Sequence, residues 1–253
     1  MTDRVGLFVI GVQKAGTTSL DAYLRRHPML SGPREKETHF FDNEHLDWAD
    51  PPWDRLHALY PGNAAGRLRF EATPISSFWP PALARIRHYN PAAKLILLLR
   101  DPIERAWSHW SMEHRRGVEP LSFSAAIRAG RDRLPADDPL APAWREFSYV
   151  ERGFYAGQLR RARLLFPATQ ILCLDAAALR RDNATTLGRI AAFAQIAPFP
   201  ALAAVEENVG VATDNGPSPD DAALLRALYR ADLVALTEMT GLDIGQWPTL
   251  RDP

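Results

Sequence analysis

The sequence predicts an α/β fold, a three-layer sandwich with a mostly parallel central sheet, on three observations. Four short apolar runs, at 7–11, Leu68–Glu71, Lys94–Leu99 and 170–174, have strand length and are bounded by polar or turn-forming residues. Segments of helical period separate them, the alternation that goes with parallel strands and crossover helices. The run Leu95-Ile96-Leu97-Leu98-Leu99 shows no polar alternation, as expected of a strand covered on both faces.

The elements follow in chain order. After the first run, a helix over 19–27 carries Leu20, Tyr23 and Leu24 at offsets of three and four and stops at Pro28. After the third, Pro102–Arg115 opens on a proline suited to a first helical turn and puts Ile103, Ala106, Trp107 and Trp110 on one stripe. Further helices are expected at 155–166 and 220–239, the latter with Leu225, Leu228, Tyr229 and Leu236 on one face. Two stretches rich in Pro, Trp and charge, 43–66 and 116–147, take no regular assignment and read as functional loops. There is no internal repeat or low-complexity tract.

A length of 253 residues fits a single domain over 1–253 with room for a substantial core. Apolar residues make up 46% and charged residues 24%, the balance of an ordinary globular protein. Thirty basic and thirty acidic residues cancel, so neither nucleic acid nor an anionic membrane surface is expected as a partner. The apolar run through Val12 is too short to span a membrane, and no signal-peptide pattern precedes it. A cytoplasmic location is the expectation. The single cysteine, Cys173, lies within Ile171-Leu172-Cys173-Leu174 and reads as a small buried residue. Asn183-Ala184-Thr185 fits a glycosylation acceptor, a triplet common by chance. Abundant Ala, Arg and Pro, against only three lysines (Lys14, Lys36, Lys94), suggest a bacterial gene.

Three segments carry chemistry. The first strand runs into Gly11-Val12-Gln13-Lys14-Ala15-Gly16-Thr17-Thr18-Ser19. Glycine lets backbone wrap an anion, the N–H groups of a helix start point at it, and Lys14 and the hydroxyls add donors. Lysine here precedes the second glycine, unlike the Gly-Lys-Ser/Thr close of nucleotide triphosphatases. The second segment, Arg100-Asp101-Pro102-Ile103-Glu104-Arg105-Ala106-Trp107-Ser108, puts an arginine at a strand's carboxyl end, where open α/β sheets bind ligands. Ser108 stands on a different stripe from Ile103 and Trp107. The third, Arg34-Glu35-Lys36-Glu37-Thr38-His39-Phe40-Phe41-Asp42, gathers carboxylates, an amine and an imidazole ahead of an aromatic pair. Alone it reads as a charged turn followed by hydrophobic anchors.

Together these segments resemble the sulfotransferase family that uses 3′-phosphoadenosine-5′-phosphosulfate (PAPS), in its heparan-sulfate and bacterial carbohydrate-type branch. The first is similar to the family's 5′-phosphosulfate loop, the second to its 3′-phosphate motif, the third to its Lys-Glu-x-His-Phe-Phe-Asp segment. The resemblance implies a P-loop-NTPase-like fold. It also implies that Lys14 and the amides of Ala15, Gly16, Thr17, Thr18 and Ser19 hold the 5′-phosphosulfate, and that Arg100 and Ser108 hold the 3′-phosphate. Glu37 becomes the general base, His39 a neighbour of the acceptor, and Lys14 the cation at the leaving oxygen. The implied reaction is in-line transfer of a sulfuryl group to a hydroxyl or amine of a carbohydrate or small metabolite. It yields adenosine 3′,5′-bisphosphate (PAP) and needs no metal. The similarity runs from about residue 7 to 116 and continues weakly through Arg152-Gly153-Phe154-Tyr155 to Gly241-Leu242-Asp243-Ile244 and Trp247.

Two departures stand out. Glu71-Ala72-Thr73-Pro74 has alanine where heparan-type members carry lysine, and 207–219, where the family closes over its donor with a basic loop, is acidic and polar. Backbone amides around 210–216 are one substitute for that loop. The alternatives are a P-loop small-molecule kinase and a catalytically silent PAP-binding module.

Overall fold

The computed structural model describes residues 4–62, 66–203, 205 and 216–251. The described strands are β1 (Val5–Gly11), β2 (Leu30–Ser31), β3 (Leu68–Glu71), β4 (Lys94–Leu99) and β5 (Ile171–Asp175). They form one sheet in the order β2-β3-β1-β4-β5, and every pair is parallel. The central strands are apolar because helices cover both faces: in β4, Leu95 to Leu99 are at most 1% exposed. Phe8 registers with Leu95 and Val9 with Ile96, and the ladder then shifts so that Gly11 faces Leu97. A Cβ on Gly11 would collide with Ser77 Oγ, so only glycine fits this approach.

The chain divides into two compact units. The first, Met1–Leu99 with Arg161–Asn208, contains the sheet, α1 (Thr17–Arg25), α2 (Trp53–His57) and α3 (Ala82–Tyr89). The second, Arg100–Arg160 with Val209–Pro253, contains α4 (Pro102–Arg115), α5 (Phe123–Ala126), α6 (Ala143–Glu146) and most of α7 (Tyr155–Leu165). The first unit also holds α8 (Ala176–Arg181) and α9 (Asn183–Ala194), and the second holds α10 (Pro219–Thr240). Helix starts follow their capping residues. Asp175, Asp182, Ser122 and Ser218 each accept a backbone N–H from the first turn that follows. At the other end of α9, Lys94 Nζ donates to the Phe193 carbonyl at 2.7 Å, a cation where the helix dipole is negative.

The second unit is built around a buried polar stripe. On α4, Arg105, His109 and Glu113 repeat every fourth residue and are at most 5% exposed, whereas Trp107 and Trp110 are only partly buried. The expected apolar stripe is therefore displaced. The two tryptophans pack edge-on against Phe123 and Trp110 stacks on His114. The polar stripe meets Tyr149, whose carbonyl accepts from Arg105 and whose ring abuts His109. Tyr229 of α10 is wholly buried and donates to the Val150 carbonyl at 2.9 Å. Its ring fills the space a side chain would need at Gly153.

Three expectations change. Cys173 is only partly buried, because β5 is an edge strand; even so, burial pushes its thiol up to about 11. The stretch 43–66 contains α2, and 116–147 contains α5 and α6. The helix α9 went unassigned, although Asp182 caps it and Leu187, Ile190, Ala191 and Ala194 form its buried face. Most of 207–219 lies outside the described residues.

Candidate active site

Parallel strands share one carboxyl edge, and the order β3-β1-β4 places the reversal of strand order at β1, where such sheets bind ligands. Three connections of the first unit leave from that edge. One leads from β1 to α1, one follows β2, and one follows β3.

The β1–α1 loop is an anion cradle. Lys14 (φ 73°) and Gly16 (φ 89°) both take left-handed backbone, and Ala15 N–H closes a turn onto the Val12 carbonyl at 3.1 Å. Left-handed backbone costs a lysine on the order of 1–2 kcal/mol. Alternating hands turn successive N–H groups toward one concavity. Gly16 is the N-cap of α1 and supplies no side-chain cap; the N–H groups of such a helix start point toward an anion bound there. Thr17 is buried at the first helical position; Thr18 and Ser19 are partly exposed beside it. Ser77 N–H donates to the Ile10 carbonyl at 2.8 Å, so the β3–α3 connection braces the loop's base.

The segment after β2 brings Glu37 and His39 together. Phe40 and Phe41 are buried and anchor it, Phe41 edge-on against Phe8 of β1 at 5.5 Å. Lys36 Nζ lies 2.5 Å from Glu37 Oε1, and His39 Nε2 lies 3.5 Å from Glu37 Oε2. His39 Nδ1 lies 2.9 Å from Oδ2 of the buried Asp42. Burial alone would raise Glu37, but the hydrogen bond from His39 and the charge of Lys36 outweigh it and hold the carboxyl at about 2. His39 rises to about 10 because it donates to Asp42 and then to Glu37, against the opposing effect of burial. Asp42, His39 and Glu37 thus form a hydrogen-bonded relay with Lys36 at one end, its imidazole held protonated and its Glu37 carboxyl held ionised.

Glu37 (φ 62°) and His39 (φ 48°) again take left-handed backbone, a conformation that persists only where surroundings fix it. Glu71, at the end of β3 and 1% exposed, accepts from Thr38, the residue between them. Its carboxylate accepts from Thr38 N–H at 3.4 Å, Thr38 Oγ1 at 3.2 Å and Thr73 N–H at 3.2 Å, and from the Thr73 hydroxyl. Thr73 Oγ1 in turn accepts from His39 N–H at 3.5 Å.

Arg100 and Ser108 belong to the second unit. Arg100 Nε donates to Glu104 Oε2 at 3.0 Å, and its carbonyl accepts from Tyr155 O–H at 2.8 Å. Ser108 sits partly exposed on α4, two turns on. Asp101 holds the start of that helix, accepting from Ile103 N–H and Glu104 N–H, while Thr249 N–H donates to its other oxygen.

The structure thus joins Glu37 with His39 and places them on the sheet edge that carries Lys14 and residues 15–19. Asp42, Thr38, Glu71 and Thr73 were not singled out as site residues. A carboxylate three residues after His39 was the available signal for Asp42. A glutamate closing a buried strand was the signal for Glu71.

Comparison with known proteins gives the family and the fold. A family model described as the sulfotransferase domain matches residues 5–207. The human bifunctional heparan sulfate N-deacetylase/N-sulfotransferase 3 is 32% identical over 212 residues, 78% of this chain and 23% of that protein. Human heparan sulfate glucosamine 3-O-sulfotransferase 6 is 31% identical over 189 residues, 73% of this chain and 50% of that protein. The chain thus spans from about a quarter to half the length of these relatives. The crystal structure of a sulfotransferase from Alicyclobacillus acidocaldarius superposes with a TM-score of 0.80 at 26% identity, covering 96% of this chain and 98% of that one.

Proposed function

Since the chain belongs to the sulfotransferase domain family, we propose that it transfers a sulfuryl group from PAPS to a hydroxyl or amine of a carbohydrate or small metabolite. The observation that carries this reading is one sheet edge bearing both a glycine-opened helix start with Lys14 and the carboxyl group of Glu37, held by Lys36 and His39. The first suits a doubly charged phosphosulfate and the second suits removal of a proton from an acceptor.

The residues present fit the donor. Backbone N–H groups of Ala15–Ser19 and the Lys14 ammonium would hold its 5′ end, and the family resemblance gives the 3′-phosphate to Arg100 and Ser108. The donor supplies the activated sulfuryl group. The acceptor oxygen forms a bond to sulfur as the sulfur–oxygen bond to the 5′-phosphate breaks, and the departing electron pair stays on that phosphate of PAP. Lys14 neutralises the charge developing there. The acceptor proton passes to Glu37.

The two candidate proton acceptors are separated by their charge states. His39, at about 10, is already protonated at neutral pH and has no proton-accepting nitrogen, whereas Glu37, at about 2, is ionised. This supports Glu37 as the base and His39 as the group that orients it. The contacts of Lys36 and His39 with Glu37 also lower its proton affinity.

Ala72 bears on the acceptor. It is 1% exposed, between Glu71 and Thr73, so no ammonium is offered where heparan-type members carry lysine. This favours an acceptor that lacks an anionic group at that point over a highly sulfated chain. The test is incubation with radiolabelled PAPS and a panel of neutral and anionic sugars and small alcohols. Labelled product and PAP from neutral acceptors support the reading, and PAP release without any labelled acceptor across the panel contradicts it.

A further inference from the structure

We propose that Glu71 is the positioning residue of this site, fixing through Thr38 the backbone that aims Glu37 and His39, and that it does so in its ionised form. The inference rests on the sulfuryl-transfer reading for its kinetic consequence, but the geometry stands apart from it.

Thr38 lies between two residues whose backbone is left-handed, and both its N–H and its hydroxyl donate to Glu71 Oε1. A glutamate and a histidine hold such backbone only under constraint. Here the constraint is a single buried carboxylate, which Thr73 also grips through its N–H and hydroxyl before receiving His39 N–H on its own oxygen. Glu71 touches neither Glu37 nor His39 directly. It acts on the peptide units that flank them.

A carboxylate with only acceptor sites matches this ring of donors. Protonation turns one of its acceptor positions into a donor; the Thr38 and Thr73 N–H groups cannot accept from it, and a threonine hydroxyl can do so only by giving up its own donation, which changes the clamp. The titratable groups facing Glu71 are Asp42, from the end of the relay segment, and Tyr60, from the turn after α2. β1, its neighbour in register, presents Phe8 there and no charge. Burial raises the Glu71 carboxyl to about 7 despite hydrogen bonds from Thr73 and Thr38 that lower it, and Asp42 raises it further. Glu37 and His39 titrate far to either side of that value. Near neutrality, the group of this network that changes charge is therefore the one that holds the backbone.

The experiment compares wild type, Glu71→Gln, Thr38→Val and Thr38→Ser. Glu71→Gln is expected to lower kcat roughly tenfold to a hundredfold, the cost of a small misplacement of reacting groups. PAP affinity stays unchanged, and the rise of wild-type kcat through about pH 7 is flattened. Thr38→Val is expected to lose turnover similarly, and Thr38→Ser, which keeps the hydroxyl, to restore it. Wild-type turnover and pH profile in Glu71→Gln would overturn the proposal, as would an equal loss of kcat and PAP affinity. If Glu71→Gln does not fold, the threonine pair decides alone: equal turnover in Val and Ser refutes the clamp. A second readout needs no activity. The ring resonances of His39, which stays protonated throughout, should shift near pH 7 in wild type and not in Glu71→Gln; a wild type without that inflection refutes the coupling. A protein inert toward PAPS that still shows the inflection would sink the reaction and leave the clamp standing.

Discussion

Asp101→Ala tests how the second unit holds the start of α4, next to Arg100. Asp101 is 3% exposed, and its two oxygens do different work. Oδ1 accepts from Ile103 N–H at 3.0 Å and Glu104 N–H at 3.1 Å, capping α4, while Oδ2 accepts from Thr249 N–H at 2.8 Å. Losing the cap costs about 1 kcal/mol. Leaving the Thr249 N–H buried without an acceptor costs about 2 kcal/mol. Burial makes the charged carboxylate costly, raising its pKa, and its removal returns part of this, for a net loss of about 2 kcal/mol. Asp101→Asn separates the two roles, because asparagine caps as well as aspartate but offers no second oxygen to Thr249; its loss should be about half as large. Urea unfolding read by tryptophan fluorescence gives both values, and amide exchange at Thr249 should accelerate in both variants. A change below about 0.5 kcal/mol in Asp101→Ala, or equal losses in the two variants, would refute the assignment.

Other predictions follow from the first unit. Lys14→Ala should weaken PAP binding in a calorimetric titration, by about tenfold or more for a lost charge-assisted contact, with the fold intact. Asp42→Asn removes the first cause of the raised His39 pKa. Its imidazole should then titrate well below about 10, seen as a shifted inflection in its ring resonances. The linkage has a definite sign: a raised histidine stabilises the fold below its ordinary value of 6.5 and loses that contribution as pH rises through about 10. The alkaline decline in wild-type stability should therefore shrink in Asp42→Asn, as pH-dependent melts would show. Gly11→Ala should cost about 1–3 kcal/mol through the clash with Ser77, measurable by urea unfolding, and should disturb the adjoining donor loop.

Much of this arrangement can be read from the chain because strong local signals coincide with the elements. The apolar runs are strands, buried from Leu95 to Leu99 in β4 and partly exposed in β3 and β5, and the glycine–lysine turn sits between β1 and α1. The Lys-Glu-x-His segment does bring Glu37 to His39. What escaped reading depended on distant partners. β2 has two residues, too few to show a period, and is a strand only because β3 pairs with it. Arg105, His109 and Glu113 look like a solvated face of α4, and are buried because Tyr149 arrives from a later segment with a carbonyl and a ring. Glu71 reads as the last residue of an apolar strand; its importance depends on Thr38, which is 33 residues away in sequence. Cys173 reads as core because apolar neighbours flank it, whereas its exposure is decided by β5 having no strand on its far side.

The central claim is that Glu37 removes the acceptor proton during transfer from PAPS. It is tested most directly by single-turnover transfer from labelled PAPS to an acceptor, in wild type and Glu37→Ala, with PAP affinity measured on both. The account predicts labelled product and stoichiometric PAP from wild type. It predicts PAP binding near wild type in Glu37→Ala, with the transfer rate down roughly a hundredfold or more. Unchanged transfer in Glu37→Ala would contradict it, as would a group transfer that requires ATP with magnesium in place of PAPS.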